Sequence, residues 1–294
     1  MSEMRKPNIL AVLPRVGAVR LFIMGFILLV ALGFTLAFHY EVGVKHLSPV
    51  ADFAATLGLT LGLLGLYAVL VRLFEGRWPQ ELALRPALGR LAAGVAIGFG
   101  LFSIVYAVFT LMGVATWQGY NGFSGAPAML LLAITAGIGE ELLFRGVVFR
   151  ILEESFGTTV ALIASAALFG LMHAGNPGAT TVSTLAIALE AGVMLAAAYT
   201  WSRSLWLPIG IHLAWNFTEG GVYGAAVSGG KSVGIIGVTL SKSASTLITG
   251  GDFGPEASVV AIAICLAAGA AFLIATLRAG HWRKASFRLV LDRA

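Results

Sequence analysis

The chain has 294 residues, of which 58% are hydrophobic and only 11% are charged, and its mean hydropathy is +0.91. These values exclude an ordinary soluble domain, because such a chain has too few polar residues to cover its apolar surface. The formal net charge of +5 does not indicate a nucleic-acid partner, since the basic residues flank apolar runs instead of forming a patch. The single cysteine, Cys265, lies in an apolar run and excludes a disulfide framework. Membrane lipid is the expected surrounding.

Apolar runs recur along the chain at the length that a bilayer core requires, roughly 20 residues as helix. They predict an all-α polytopic membrane protein with about eight transmembrane helices and a polar site inside the helical bundle. The first run follows basic residues and resembles a signal sequence, but it lacks a clear small-residue cleavage site, so we interpret it as a retained anchor. The predicted spans are residues 21–38, 53–71, 91–114, 128–149, 158–172, 182–199, 205–217 and 259–277.

The distribution of Lys and Arg predicts the orientation, because basic loops stay on the cytoplasmic side. With eight spans, all but three of the 19 basic residues fall on one side, and Lys45, Lys231 and Lys242 fall on the other. Both termini are therefore expected in the cytoplasm, with the protein in the plasma or inner membrane of a prokaryote. The predicted organisation is an N-terminal cytoplasmic segment with three helices (1–127), a core with the polar motifs (128–220), a Gly/Ser-rich external loop (221–256), and a last helix with a basic cytoplasmic tail (257–294).

Ionisable residues inside the predicted spans concentrate in three short strings. Each such residue costs about 2.5 to 3.5 kcal/mol on insertion scales, so each one raises a functional question. The fourth span contains Glu140, Glu141 and Arg145, the fifth ends at His173, and the seventh contains His212 and Asn216.

Helical geometry separates the two neighbouring glutamates, because residues four apart share a face whereas neighbours are rotated by about 100°. Glu141 and Arg145 are four apart and can form an ion pair that neutralises both charges. Glu140 points elsewhere and lacks that partner, which leaves it free to face a cavity and take up a proton. His212 and Asn216 are also four apart. Both can therefore donate hydrogen bonds to one oxygen.

Groups of this kind suffice for hydrolysis. A carboxylate in an apolar site can act as a general base, and a histidine can help to hold the water. Two further donors can stabilise the oxyanion that develops when water attacks a carbonyl. Alternatively, Glu140, His173 and His212 could bind a divalent metal such as zinc, with an open position that activates water. The chain lacks the HExxH spacing, so the metal interpretation is the weaker one.

The three strings together resemble the motifs of the CPBP family of intramembrane proteases, also called the Abi, CAAX-protease or Rce1-like family. The family motifs are EExxxR, FxxxH and HxxxN, and this chain has EELLFR, FGLMH and HLAWN in the same order. The resemblance implies that Glu140 and His173 activate water. It also implies that His212 and Asn216 form an oxyanion hole. Glu141 and Arg145 would orient the site, and Phe169, the aromatic residue of the second motif, would serve in packing.

The resemblance implies an endopeptidase that cleaves a membrane-associated peptide or protein, by CAAX-type processing or a similar reaction. The family is often called metallopeptidase, but a glutamate-driven mechanism without a metal explains the same residues, so the favoured interpretation requires no cofactor. Two other classes stay open. Intramembrane Glu and His also occur in proton or divalent-cation transporters, and a polar site without turnover would suit a bacteriocin-immunity or scaffold protein. Three further acidic residues lie outside the motifs. Glu190, in the sixth span, either lines the cavity or bonds to a neighbour, and Glu153 and Glu154 are expected on a solvated cytoplasmic face.

Overall fold

A computed structural model describes residues 17–285 of the chain. In this part of the chain most residues are helical, and a two-stranded antiparallel sheet is formed. Apolar segments adopt helices in a bilayer because the helix satisfies every backbone polar group within the segment. The all-α polytopic membrane fold is confirmed, whereas the orientation stays a prediction. Five basic residues that support the predicted orientation lie outside the described residues: Arg5, Lys6, Arg15, Arg288 and Arg293.

The elements are named in chain order. The first three helices are α1 (Gly17–Phe38), which continues through a π-helical turn (His39–Gly43) to Val44–His46, α2 (Pro49–Glu75) and α3 (Ala87–Leu111). They are followed by β1 (Ala115–Tyr120), α4 (Ala126–Glu141) with a π-helical continuation (Leu142–Phe149), and α5 (Arg150–Met172). Next come α6 (Thr181–Ile187) with a π-helical continuation (Ala188–Gly192), α7 (Val193–Ser202), and α8 (Trp206–Asn216) with a π-helical continuation (Phe217–Val222). The last elements are β2 (Ile236–Leu240), α9 (Thr246–Thr249) and α10 (Val259–Arg278).

Six helical stretches in the described residues are long and apolar enough to cross a membrane, instead of the eight predicted. The predicted fourth and fifth spans belong to one stretch of 50 residues, Ala126–Gly175. A sharp break at Gly157 divides this stretch, with a φ of 81° that glycine adopts without steric cost. The predicted seventh span, α8, is too short to be counted. The predicted number of eight transmembrane spans is therefore not supported, because hydropathy alone does not define where a short buried helix begins or ends.

Helices α3 and α8 approach each other so closely that their backbones are almost in contact. A Cβ atom at Gly98 of α3 would overlap the carbonyl oxygen of Ile211, and one at Gly94 would overlap the carbonyl oxygen of Leu207. Small residues at a membrane helix interface permit this packing. The position of α8, which carries the third motif, therefore depends on these two glycines.

Replacing Gly98 by alanine is expected to lower the free energy of unfolding by about 1 to 3 kcal/mol, because the overlap is with backbone that cannot move without α8. Gly100→Ala is the matched control, since a Cβ atom at Gly100 of the same helix would meet nothing within 4 Å. That variant should be neutral or slightly more stable, as alanine favours a helix over glycine. Thermal unfolding in detergent measures both effects. Equal melting temperatures for the two variants would contradict the tight α3–α8 contact.

Glu153 and Glu154, which follow the end of the predicted fourth span, are not both exposed to solvent. Glu153 is buried, and its Oε2 lies 2.5 Å from Nη1 of Arg203, while its Oε1 accepts a hydrogen bond of 2.7 Å from Thr158. Glu154 is more exposed and pairs with Arg20 at 3.0 Å. The prediction of a solvated face is therefore wrong for Glu153. Arg203 comes from the turn between α7 and α8, a tertiary contact that the local pattern does not reveal.

The Gly/Ser-rich segment 221–256, predicted as an external loop, folds back onto the helices. Its strand β2 pairs antiparallel with β1, so that Leu240 lies opposite Ala115. The amide of Gly229 donates a hydrogen bond of 2.7 Å to the carbonyl of Phe253. A Cβ atom at Gly229 would overlap the carbonyl oxygen of Pro177. The segment therefore packs against the turn that follows His173.

Candidate active site

The predicted site residues lie where regular α-helical hydrogen bonding is interrupted. Glu141 ends α4, and Arg145 lies in the π-helical continuation. His173 begins a short 3-10 turn after α5, and Asn216 ends α8 just before its π-helical continuation. π-Helical turns within α-helices are frequent at functional sites.

Glu140 and His173 lie together, although the sequence places Glu140 in mid-span and His173 at the end of a span. Oε2 of Glu140 is 3.8 Å from Nε2 of His173, and the side chains are only 14% and 10% exposed. This Oε2 atom is buried and has no hydrogen-bond partner among the described residues. A separation of this size between two polar atoms fits a water molecule that bonds to both.

The backbone of Phe169 determines which nitrogen of His173 carries the proton. Nδ1 of His173 lies 2.8 Å from the carbonyl oxygen of Phe169, which can only accept a hydrogen bond. Nδ1 therefore donates to this carbonyl, and Nε2 is the nitrogen that faces Glu140. The Phe169 ring also packs against the imidazole, with 4.8 Å between the ring centroids. Phe169 thus orients the histidine and is more than a packing residue.

The ion pair predicted between Glu141 and Arg145 is present, with 2.8 Å between Oε1 and Nη1 and both side chains buried. The same Oε1 also contacts Nδ1 of His212 at 3.0 Å, a contact that helical spacing does not predict. Arg145 further donates to the carbonyl oxygens of Ala191 and Gly192, at 3.0 and 3.1 Å. Glu141 is therefore a shared acceptor that ties α8 to α4, in addition to balancing the charge of Arg145.

The remaining contacts gather the three motifs around the ring of Phe169. The guanidinium carbon of Arg145 lies 4.6 Å from the centroid of this ring, and the His212 ring centroid lies 6.1 Å from it. Asn216 is buried one helical turn after His212, on the same helix. Residues from the three motifs thus lie close together, and Asn216 is joined to them through its helix.

The alternative metal-ligand set of Glu140, His173 and His212 does not fit a metal ion. In residues 17–285, no group of three or more His, Cys, Asp or Glu side chains is arranged so that it could hold one. Oε1 of Glu141, by contrast, joins one of the two imidazoles to a guanidinium.

Three more glutamates are buried near the site. Glu219, which was not predicted as a site residue, follows Asn216 by three residues and continues its helix face, and this spacing could have predicted it. Glu256 lies in the Gly/Ser-rich segment, where no local pattern marks it, and burial raises its pKa above the usual value. Glu190, whose role the sequence left open, accepts a hydrogen bond of 3.4 Å from the thiol of Cys265. It therefore bonds to a neighbour.

The helical fold and its apolar spans define an integral membrane protein. Residues 121–218, one third of the chain, match a family model described as type II CAAX prenyl endopeptidase Rce1-like. The matched residues include all three motifs. The match supports the family that the motifs predict, which is a family of proteases.

One curated protein is similar over part of the chain. The class D tetracycline resistance protein of Salmonella ordonez is 32% identical over 131 residues. The aligned part is 44% of this chain and 31% of that protein, so the chain spans about a third of the length of this relative. No solved structure matches the chain.

Proposed function

We propose that the protein is an intramembrane endopeptidase that hydrolyses a peptide bond of a membrane-associated peptide or protein, by CAAX-type processing or a similar reaction. The observation that carries the proposal is the buried, unpartnered Oε2 of Glu140, 3.8 Å from Nε2 of His173. A carboxylate and an imidazole at this distance can hold one water molecule between them. The match to a protease family over residues 121–218 supports the same conclusion.

Glu140 acts as the general base in this proposal. One hydrogen of the water bonds to Oε2 of Glu140 and the other to the acceptor Nε2 of His173, which leaves an oxygen lone pair free to attack the scissile carbonyl. Glu140 takes the proton as the new C–O bond forms. The protonated Glu140 then gives this proton to the leaving amine nitrogen as the C–N bond breaks. His173 holds the water throughout and needs no change of charge.

His212 and Asn216 stabilise the oxyanion. The charged Glu141 can only accept hydrogen bonds, so Nδ1 of His212 carries a proton. Nε2 of the same ring donates to the oxyanion only if the ring is an imidazolium. A cationic His212 would balance the local charge, since Glu140 and Glu141 otherwise face the single cation Arg145. Asn216 adds a neutral N–H donor from the next turn of α8.

Asn216→Ala is expected to lower kcat by about 10²- to 10³-fold with little change in KM, because it removes a donor that bonds most strongly in the transition state. Asn121→Ala, at an exposed position, serves as the control and should keep the wild-type rate. Peptide-cleavage kinetics in proteoliposomes measure both variants. An equal loss in kcat for the two variants would exclude Asn216 from the oxyanion hole.

The function itself is tested with purified protein in liposomes and two versions of a peptide that ends in a CAAX sequence, one prenylated and one not. We expect cleavage of at least one peptide, with ¹⁸O from labelled water in the new carboxyl group. Faster cleavage of the prenylated peptide would define the substrate class as lipid-modified. If the wild-type protein leaves both peptides intact, the CAAX-type assignment is wrong.

A transporter is the second candidate, because intramembrane Glu and His also form ion pathways. Ion flux into liposomes that is lost in His173→Ala, together with absence of peptide cleavage, would replace the peptidase proposal.

The similarity to a tetracycline resistance protein allows a separate test, of whether this chain confers resistance. Because the similarity extends over only 31% of that protein, we expect cells that express this chain to stay sensitive to tetracycline.

A further inference from the structure

A groove with a volume of about 910 Å³ runs between α1 and α2. The α1 wall of the groove includes Phe26, Val30 and Phe34, whose side chains are 58%, 54% and 61% exposed. The α2 wall includes Gly58 and Gly62, where a Cβ atom would meet nothing within 4 Å. Large side chains on one wall and the absence of side chains on the other therefore shape the groove.

The groove is apolar and faces the membrane. Of the described residues that line it, only Thr35 has a polar side chain, and its hydroxyl donates a hydrogen bond of 2.9 Å to the carbonyl of Ala31. Both helices are long and apolar enough to cross a membrane, so their exposed apolar side chains contact lipid. A space of this kind offers water no hydrogen-bond partner. Hydrocarbon is therefore what fills it.

The length of the groove matches one leaflet of a bilayer. On α1 the lining extends from Phe26 to Phe38, which corresponds to roughly 18 Å of helix. Half of the hydrocarbon core of a bilayer is about 15 Å thick. Just beyond Phe38 lie His39 and Tyr40, and Tyr40 is 52% exposed. Tyrosine is typical of the membrane interface, so this end of the groove marks the level of the lipid head groups.

The groove lies on the opposite side of α1 and α2 from the candidate active site. A Cβ atom at Gly139, the residue before Glu140, would overlap Cδ1 of Leu32 on α1. On α2, the hydroxyl of Thr60 lies 2.9 Å from that of Thr135 on α4. The inner faces of both helices therefore pack on α4, so that α1 and α2 separate a chain in the groove from Glu140. This arrangement favours a lipid of the bilayer over a lipid group attached to a substrate.

We propose that the groove binds one acyl chain of a membrane phospholipid, with the head group at the Tyr40 end. Apolar side chains gain no hydrophobic stabilisation from meeting a lipid chain inside a bilayer, so this binding depends on packing contacts. Two walls and a floor give an acyl chain more such contacts than the convex face of a single helix does. The bound chain packs on both helices and supports the α1–α2 pair that rests on α4. This inference does not depend on the proposed peptidase function.

Photo-cross-linking tests the site with the full-length protein in phosphatidylcholine nanodiscs, in which a small part of the lipid carries a diazirine midway along one acyl chain. Illumination joins the diazirine to the residues that it contacts, and mass spectrometry of the peptides locates the adducts. We expect the adducts to concentrate on the α1 wall of the groove. Labelling of Leu266 and Ile274, which are exposed on α10, should be about tenfold lower, because a convex helix face makes fewer contacts with a chain.

The double variant with Gly58→Leu and Gly62→Leu fills the groove with two side chains. We expect labelling of the α1 wall to fall by about tenfold in this variant, because the leucines occupy the space of the acyl chain. Gly65→Leu is the matched control on the same helix. A Cβ atom at Gly65 also meets nothing within 4 Å, but Gly65 is not among the described residues that line the groove. This control should be labelled like the wild type.

Even labelling of all lipid-facing helices in the wild type, or undiminished labelling of the α1 wall in the double variant, would overturn the proposal. Loss of the adduct on addition of a prenylated CAAX peptide, but not of its unprenylated form, would replace the phospholipid by a substrate chain. Loss of the adduct when two copies share a nanodisc would replace it by a second copy of this chain. If the double variant does not insert, the single variants carry the same test, and the wild-type labelling map decides if neither inserts. Labelling needs no turnover, so an uncleaved CAAX peptide leaves this result unaffected.

Discussion

Glu140→Gln is expected to reduce the rate of peptide hydrolysis by about 10²- to 10⁴-fold, the usual contribution of a positioned general base. The carboxamide cannot take a proton from water at any working pH, although it has nearly the same shape. Oε2 of Glu140 has no hydrogen-bond partner among the described residues, so the change breaks no hydrogen bond within the described part of the protein. The variant should therefore remain folded and inserted, with a melting temperature close to that of the wild type. Cleavage of a CAAX peptide in proteoliposomes gives the rate.

The matched control for this experiment is Glu41→Gln. Glu41 carries the same charge, but its side chain is 68% exposed and, within residues 17–285, pairs only with the exposed Lys45. Exposed pairs of this kind contribute little, so its hydrolysis rate and stability should equal those of the wild type. Wild-type turnover in Glu140→Gln would exclude Glu140 as the base. An equal loss of activity in both variants would indicate a general effect of charge and not a catalytic one.

Arg145→Met is expected to destabilise the protein by about 3 to 5 kcal/mol, because it leaves the buried carboxylate of Glu141 without its cation. Neither side chain of this pair is more than 1% exposed, so water cannot compensate for the lost charge. The change also removes the hydrogen bonds from Arg145 to the carbonyl oxygens of Ala191 and Gly192. Methionine retains most of the packing volume, which isolates the loss of charge. Thermal and denaturant unfolding in detergent measure the change.

A double variant separates the charge from the shape. Glu141→Gln combined with Arg145→Met should be more stable than Arg145→Met alone, because a neutral carboxamide needs no cation and its oxygen can still accept from His212. Arg85→Met, at an exposed position, is the control and should unfold like the wild type. If Arg145→Met were no less stable than Arg85→Met, the ion pair would not support the site. The same result would also mean that the carboxylate of Glu141 is not essential for holding His212.

The motifs and the helices that carry them could be predicted from the sequence. Apolar runs of membrane length predict helices because the bilayer leaves their backbone groups no other partners. Helical spacing then predicted the Glu141–Arg145 ion pair correctly, since residues four apart meet on one face whatever the rest of the fold does. The same spacing left Glu140 without an intrahelical partner, as the structure also has it.

Contacts between distant parts of the chain could not be predicted in this way. Only the tertiary structure brings Nε2 of His173 to Glu140 and joins Nδ1 of His212 to the carboxylate of Glu141. It also buries Glu153 beneath Arg203, where the sequence indicated a solvated face.

The number of spans and the fold of the Gly/Ser-rich segment likewise depend on packing. The break at Gly157 lies inside one continuous helical stretch, and the hydrogen bond from the amide of Glu256 to Oε1 of Glu219 joins the continuation of α8 to a segment without a clear periodic pattern. Local hydropathy and helical period determine which residues share a face. Which faces meet is decided by how close two backbones can approach, as at Gly98, and by which buried polar atoms must find a partner.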